Sequence, residues 1–336
     1  MSTIVQVASE AGVSTSTVSH VLNGTRHVEP ETRQRVLEAI EKTSYRRDAL
    51  ARALRRSRTD SIGLVVSDAG EPAFAEMVHG AEHAAAALGL TLLLANSSEG
   101  HDRELNAVRV FLERRVDGLI LARAAASQAD LVNLVTSERT PVVLLDRVFP
   151  DLPFDQAAAE NEAPMKELVR HLAARGHRRF CLVVGDTRVP SLAERLKGFR
   201  DAVAELALDE SAQLVLEQSE DRALAVDLAA ALRAEHGPTV YIACSTVLAA
   251  HTLEAMQALG RRAPAHVAFA TFDGFSHADL FEPRVTTVRQ PAFEVGAAAV
   301  QLLHERMSDH DTAPRIVRLP QRIEYRESTE GFRPST

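Results

Sequence analysis

From Ser61 onward the chain alternates short, almost continuously apolar runs with longer amphipathic stretches, and this alternation restricts the fold more than any other feature. IGLVVS (62–67), TLLLA (91–95), DGLILA (117–122), PVVLLD (141–146), FCLVVG (180–185), TVYIACS (239–245) and HVAFATF (266–272) read as strands. A strand that is apolar on both faces belongs in a parallel sheet covered by helices on either side. The gaps supply such helices, for example Ala73 to Leu88 and Asp102 to Arg115. With 336 residues and 46% hydrophobic content, there is material for two or three domains, each with a core.

The first sixty residues follow another pattern. Ile4, Val7, Ala8 and Ala11, then Val13, Val18, Val21 and Leu22, fall on helical spacing, with a break at Gly12. Thr3 and Gln6 make a capping box for the first helix, and Ser14 is an N-cap for the second. What remains outward on the second helix is Thr15, Ser16, Ser19 and His20, short polar groups where a surface helix ordinarily carries Glu and Lys. Such a row can approach base edges, as the second helix of a helix-turn-helix does in the major groove. A third helix follows from Pro30 through Val36, Leu37 and Ile40 to about Thr43. The next stretch, SYRRDALARALRRSRTDS, has Arg at 46, 47, 52, 55, 56 and 58. It reads either as a solvated basic linker or as a short helix, because Ala49, Leu50, Ala51, Ala53 and Leu54 are good helix formers. Charge is divided accordingly. Residues 1–60 hold ten Lys/Arg against seven Asp/Glu, and the remainder holds 28 against 39, so a basic head meets an acidic body within a net charge of -8.

The N-terminal stretch Thr3-Ile4, Val7-Ala8, Ala11, Val13-Ser14, Thr17-Val18-Ser19 and Val21-Leu22-Asn23 resembles the LacI family of bacterial transcription regulators, whose N-termini run T-I-x-x-V-A-x-x-A-x-V-S-x-x-T-V-S-x-V-L/I-N. Its purine-repressor branch is nearest for this head, since His20 stands where many relatives carry Arg and Thr25-Arg26 follows as in that branch. His20 replaces a bidentate guanine reader by a single donor or acceptor, so base preference shifts. The resemblance implies DNA contacts from Thr15, Ser16, Thr17, His20, Asn23 and Arg26. It further implies that Asp48 to Arg55 is a hinge helix, whose Leu54 wedges into the minor groove beside Arg55. Eight residues are too few for a helix stable alone in water, so it orders on DNA. Arg47-Asp48 replaces the family's Pro-Asn, which loosens that boundary while Asp48 can still cap the helix.

For the body, the resemblance implies two parallel-sheet α/β subdomains of periplasmic-binding-protein type, with a ligand cleft between them at the strands' carboxyl ends. The expected fold is an all-α helix-turn-helix head (1–47), a hinge and linker (48–58), an effector N-subdomain (59–158 plus 289–319) and a C-subdomain (159–288 plus 320–336). Phe74 is either a ring lining the cleft or the first buried residue of its helix. Asp146-Arg147 matches the family's D-R at a strand end and reads as a structural pair, a ligand contact, or both. Ser191 and Arg195 share a helix face at i, i+4 in SLAERLKGFRDA, and Arg195 is the leading ligand candidate because a planar fork suits hydroxyls, carboxylate or phosphate. Asp273 in ATFDG stands where relatives accept from ligand hydroxyls. Glu160-Asn161 replaces Asp-Asn at the crossover, and Ser245-Thr246 replaces Asn-Asp. There is no Trp, and Tyr45, Tyr241 and Tyr325 fall away from the cleft loops. With Arg in apparent surplus there, the effector expected is a sugar or, better, an anionic sugar phosphate or sugar acid. Purine fits less well, since the ligand side does not follow the purine-repressor branch.

Enzyme motifs are missing: no G-x-x-x-x-G-K, G-x-G-x-x-G after a strand, or G-x-S-x-G occurs. His79 and His83 share a face at i, i+4 but lack a second ligand pair, so a solvated face is the better reading than a metal site. Cys181 and Cys244, inside apolar runs, are expected as buried thiols without disulfide or metal. No cofactor and no membrane span are expected, and the compartment is the cytoplasm. The expected protein is a repressor-type regulator acting as a homodimer or tetramer on a double-stranded, pseudo-palindromic operator and switched by a small effector. A binding protein or an enzyme on the same α/β fold is the disfavoured alternative.

Overall fold

The computed structural model describes residues 3–24, 26–45, 58–124, 127–218, 223–275, 278–309 and 311–331, and it separates into a unit ending at Thr59 and a unit from Asp60 onward.

In the first unit, α1 (Ile4–Ala11), α2 (Thr15–Asn23) and α3 (Pro30–Thr43) close a small core of Val7, Ala8, Ala11, Val18, Val21, Val36 and Ala39. Each boundary has a local cause. Thr3 and Gln6 form a reciprocal capping box, and α1 stops where Gly12 turns left-handed at φ 63°. Ser14 Oγ accepts from the Thr17 N–H at 3.1 Å, which starts α2. Lys42 Nζ reaches Glu10 Oε1 at 2.5 Å, tying α3 to α1. Leu37 corrects the sequence reading, because it lies outward at 45% exposure while Ala39 turns inward. One residue past Val36 is a 100° rotation, so Val36, Ala39 and Ile40 share the inner face and Leu37 leaves it.

The second unit runs β1 (Ser61–Val66), α4 (Pro72–Ala87), β2 (Thr91–Asn96), α5 (His101–Glu113), β3 (Gly118–Leu121), α6 (Ala129–Ser137), β4 (Val142–Leu145) and β5 (Asp155–Ala159). Next come α7 (Glu162–Ala174), β6 (Phe180–Val184), α8 (Pro190–Glu205), β7 (Leu214–Glu217), α9 (Leu224–Arg233), β8 (Val240–Ala243), α10 (Thr246–Ala258), β9 (Ala268–Phe272) and β10 (Thr286–Arg289). It closes with α11 (Ala292–Ser308), β11 (Ile316–Leu319) and β12 (Arg322–Glu324). The described strands make two six-stranded sheets, ordered β11-β5-β4-β3-β1-β2 and β12-β10-β9-β8-β6-β7. Every neighbouring pair is parallel except β10 and β12, which run antiparallel. Chain passes between the sheets occur at 160–161, around 290 and at 320–321.

All seven apolar runs are strands, whereas DQAAA at 155–159 carried no strand signal and is nevertheless β5, buried at every position. Tertiary partners make its polar residues tolerable. Asp155 accepts from Arg306 Nε and from the Arg315 N–H, both at 2.8 Å, and Gln156 pairs both ways with the Phe149 backbone. On the first sheet, α4 and α11 cross at glycine. A Cβ on Gly80 would lie 1.9 Å from the Phe293 carbonyl oxygen, and one on Gly296 would lie 2.0 Å from that of Met77. Glycine is what lets these backbones meet. Among the described residues no helix is long and apolar enough to cross a membrane.

Candidate functional site

Segments after the carboxyl end of β1, β2 and β4 of the first sheet and of β6, β7, β8, β9 and β10 of the second line one cleft of about 420 Å³. Parallel sheets place their ligands at that end because the connections there diverge and leave a crevice. Its wall includes Asp68, Glu71 and Phe74 after β1, Glu99 after β2, and Asp146 with Arg147 after β4. From the second sheet come Asp186, Arg188, Ser191 and Arg195 after β6, Ser245 after β8, Asp273 after β9 and Gln290 after β10. Phe74, Asp146, Arg147, Ser191, Arg195, Ser245 and Asp273, singled out from sequence, all face this one space. Phe74 is also 4% exposed within the first sheet's core, so its two readings hold together.

Asp146 and Asp273 occupy matching positions at the ends of β4 and β9. Both have left-handed backbone, φ 69° and φ 65°, and each donates its N–H across the sheet, to the carbonyls of Ala157 and Val288, at 2.9 Å in both cases. Asp tolerates this region better than most residues, and the turn aims both carboxylates into the cleft.

Arg195 is 4% exposed and almost fully engaged. Nε donates to Asn161 Oδ1 at 2.9 Å, Nη1 to the Cys244 carbonyl at 2.5 Å and to Asp273 Oδ2 at 2.9 Å, and Nη2 to Asp273 Oδ1 at 3.2 Å. Its guanidinium lies 4.4 Å from the centroid of the Phe272 ring. Of five N–H groups, these contacts leave one at Nη2 for a ligand. Burial would lower its pKa, but the Asp273 carboxylate outweighs that and raises it. The planar fork expected to grip a ligand is therefore turned onto the protein's own Asp273.

Arg147 behaves alike. It pairs with Glu99 at 2.5 Å, holds the Arg123 carbonyl and reaches Ser67 Oγ at 3.4 Å, while its Nε is 3.9 Å from Asp146. The pairing expected within Asp146-Arg147 is thus the weaker one, and Glu99, which sequence reasoning missed, is the closer partner. Arg188 pairs with Asp186 at 2.6 Å.

The sequence also suggested a surplus of Arg, and the cleft holds the reverse: Arg147, Arg188 and Arg195 against Asp68, Glu71, Glu99, Asp146, Asp186 and Asp273. Each arginine has a carboxylate partner. Glu71 and Asp146 accept no hydrogen bond from the described residues. Burial first, then Asp273, Asp146 and Asp68, pushes Glu71 up to about 7. Burial likewise raises Asp146 to about 6 against the pull of Arg147 and Arg195. Glu71 and Asp68 were legible as polar residues of the loop before Phe74. Their role in the charge balance needed the opposing wall.

Ser245 caps α10, accepting from the Leu248 N–H at 3.3 Å, and Thr246 donates to the Gly274 carbonyl at 2.7 Å. Both cysteines are buried free thiols, and burial pushes Cys244 up to about 12. His79 and His83 pack their rings on Phe293, with centroids 5.2 and 5.7 Å away. Among the described residues no group of three or more His, Cys, Asp and Glu is placed to hold a metal ion.

In the head, Thr15, Ser16 and Arg26 are exposed, and Thr17 and His20 half-buried. Ser14 Oγ lies 2.7 Å from Ser16 Oγ and 2.9 Å from Thr17 Oγ1, so these hydroxyls share the cap. The Asn23 side chain, Leu54 and Arg55 lie outside the described residues.

Residues 3–48 match the model for bacterial regulatory proteins of the lacI family, and residues 59–329 match that for periplasmic binding proteins and the sugar-binding domain of the LacI family. The HTH-type transcriptional repressor PurR of Aliivibrio salmonicida is 32% identical over 330 residues, 98% of this chain and 99% of its own. A crystal structure of the lac repressor dimer bound to operator and the anti-inducer ONPF superposes with a TM-score of 0.85 at 24% identity, covering 98% of this chain and 99% of that one. The transcriptional regulator CelR in complex with cellobiose gives 0.67 at 28% identity, covering 98% and 100%. The chain belongs to the LacI family of bacterial regulatory proteins and is a DNA-binding regulator of transcription, not an enzyme.

Proposed function

We propose that this regulator represses from a pseudo-palindromic operator as a homodimer in the cytoplasm, and that a small polyhydroxylated effector in the cleft switches its DNA affinity. The observation that carries the reading is convergence: seven residues chosen from five separate stretches of sequence line a single cleft between two sheets in a LacI-family chain. The proposed organisation is a DNA-binding head at 1–47, a hinge at 48–58, an N-subdomain at 59–158 plus 289–319, and a C-subdomain at 159–288 plus 320–336. Thr15, Ser16, Thr17, His20, Asn23 and Arg26 serve the major groove, and Leu54 with Arg55 the minor groove. A second copy has a candidate seat at Leu280 and Phe281, 84% and 38% exposed, beside Phe275, whose ring stacks on Phe281 at 5.0 Å. Effector binding changes the relation of the two subdomains and, through the hinge, the population able to grip DNA.

The test compares the full chain with a deletion of residues 1–58 on operator fragments selected from random duplex DNA, with sedimentation to give the assembly state. Dimers that bind only as the full chain, and whose DNA affinity changes on effector addition, are expected. Equal DNA affinity for both proteins defeats the proposal.

A further inference from the structure

The open polar positions of the cleft are unequal in kind. Glu71 and Asp146 present carboxylates that accept no hydrogen bond from the described residues, and Gln290 donates Nε2 to Asp273 at 2.9 Å while its Oε1 is buried without a partner among them. Against these acceptors stand one Arg195 N–H, the Arg147 Nε–H that makes no hydrogen bond, the Gln218 amide and the hydroxyls of Ser191 and Ser245. A ligand group that satisfies Glu71 and Asp146 must bring donors. Charge points the same way, because all three arginines are paired and three carboxylates, Asp68, Glu71 and Asp146, exceed them. A phosphate or carboxylate would add negative charge to a site already negative and offer acceptors to acceptors.

We propose that the effector carries an ammonium group, seated between Glu71 and Asp146, on a polyhydroxylated frame. This rests on the cleft's being the effector site, as above. Three N–H donors and one positive charge answer both deficits at once. The titration of the site agrees. Burial, then Asp273, Asp146 and Asp68, raises Glu71 to about 7 with Arg195 opposing, so it is about half protonated at neutrality, and Arg147 also acts on it. A cation beside it favours the carboxylate, so binding expels a proton and strengthens as pH rises toward about 7, until the ligand's own ammonium loses its proton.

Thermal unfolding and titration calorimetry on the full chain test this with matched probes: glucosamine, galactosamine and mannosamine, their neutral parent sugars, and glucose 6-phosphate, gluconate and galacturonate. At least one amino sugar is expected to bind about tenfold or more tightly than its neutral parent. Glu71→Gln should shrink that preference to near unity while leaving the unfolding transition cooperative. Tighter binding by neutral or anionic probes, or no amino sugar binding at all, overturns the ammonium assignment. The effector-cleft reading has its own check. Binding by any probe that survives both Phe74→Ala and Asp273→Asn unchanged places the ligand elsewhere and removes that reading too.

Discussion

Arg195 is the residue on which the body's electrostatics turn. A buried guanidinium clamped on a half-buried carboxylate is a poor source of net stability, but removing one partner strands the other. Arg195→Ala should lower the stability of the body by about 3 kcal/mol or more, and Arg195→Lys, which keeps the charge but loses the fork, by less. Denaturant unfolding of both variants checks this; a near-neutral Arg195→Ala would mean that Asp273 finds water instead. Glu71 makes the opposite contribution. Its folded pKa of about 7 lies above the unfolded value of 4.5, so between these the native state holds a proton that the unfolded chain has lost. Stability therefore falls as pH rises across that window and is level beyond it. Asp146, raised from 3.8 to about 6, acts in the same sense. Melting temperatures of ligand-free protein from pH 5 to 8 should decline more steeply than those of Glu71→Gln, and parallel curves would assign the slope to other groups.

At the scale of elements, the helices of the head obey local rules, whereas the pairing of α4 with α11 obeys a distant one. Gly80 and Gly296 are 216 positions apart, yet each makes room for the other helix's backbone. Nothing around HGAEH or EVGAA announces it, since an isolated glycine in a helical pattern reads as a mild defect. Gly80→Ala gains intrinsic helix propensity but drives a methyl into the Phe293 carbonyl, which cannot rotate away. The clash should dominate, at a net cost of about 1–3 kcal/mol, readable as a lowered denaturation midpoint. A stabilised Gly80→Ala would show that the helices separate at little cost. β5 makes a related point: its polar residues disguise a buried strand because their partners, Arg306, Arg315 and Phe149, arrive from elsewhere.

At the scale of the whole body, Asn161 sits where two crossings between the sheets meet the cleft. It is 2% exposed. Its Nδ2 donates to Glu194 at 2.9 Å, and its Oδ1 accepts from Arg195 Nε at 2.9 Å and from Gln321 Nε2 at 3.1 Å. Asn161 thus ties Arg195 in the wall of the cleft to the segments at 160–161 and 320–321, where the chain crosses between the two sheets. Asn161→Ala should reduce the effector's influence on operator affinity by more than it reduces effector affinity itself, since coupling and binding are separate free energies. Measuring operator binding with and without saturating effector separates them. Equal loss in both would make Asn161 a ligand-positioning residue only.

The caps at Thr3 and Ser14, the seven apolar strands, the three helices of the head, two helices of the body to within two residues and the loops that bear the cleft were written in the sequence. Each depends on neighbours a few positions away, and the helical period of 3.6 residues and the short continuous apolar run are both legible without the fold. The family was legible for the same reason, because the reading helix is one continuous stretch. What the tertiary structure alone decided is how charge is spent. Arg195 meets Asp273 across 78 residues and Arg147 meets Glu99 across 48, and those pairings turn an apparent excess of arginine into an excess of unmatched carboxylate. Composition counts charges, but only packing assigns them partners, and a buried ion acts on a ligand according to what its partners leave unsatisfied.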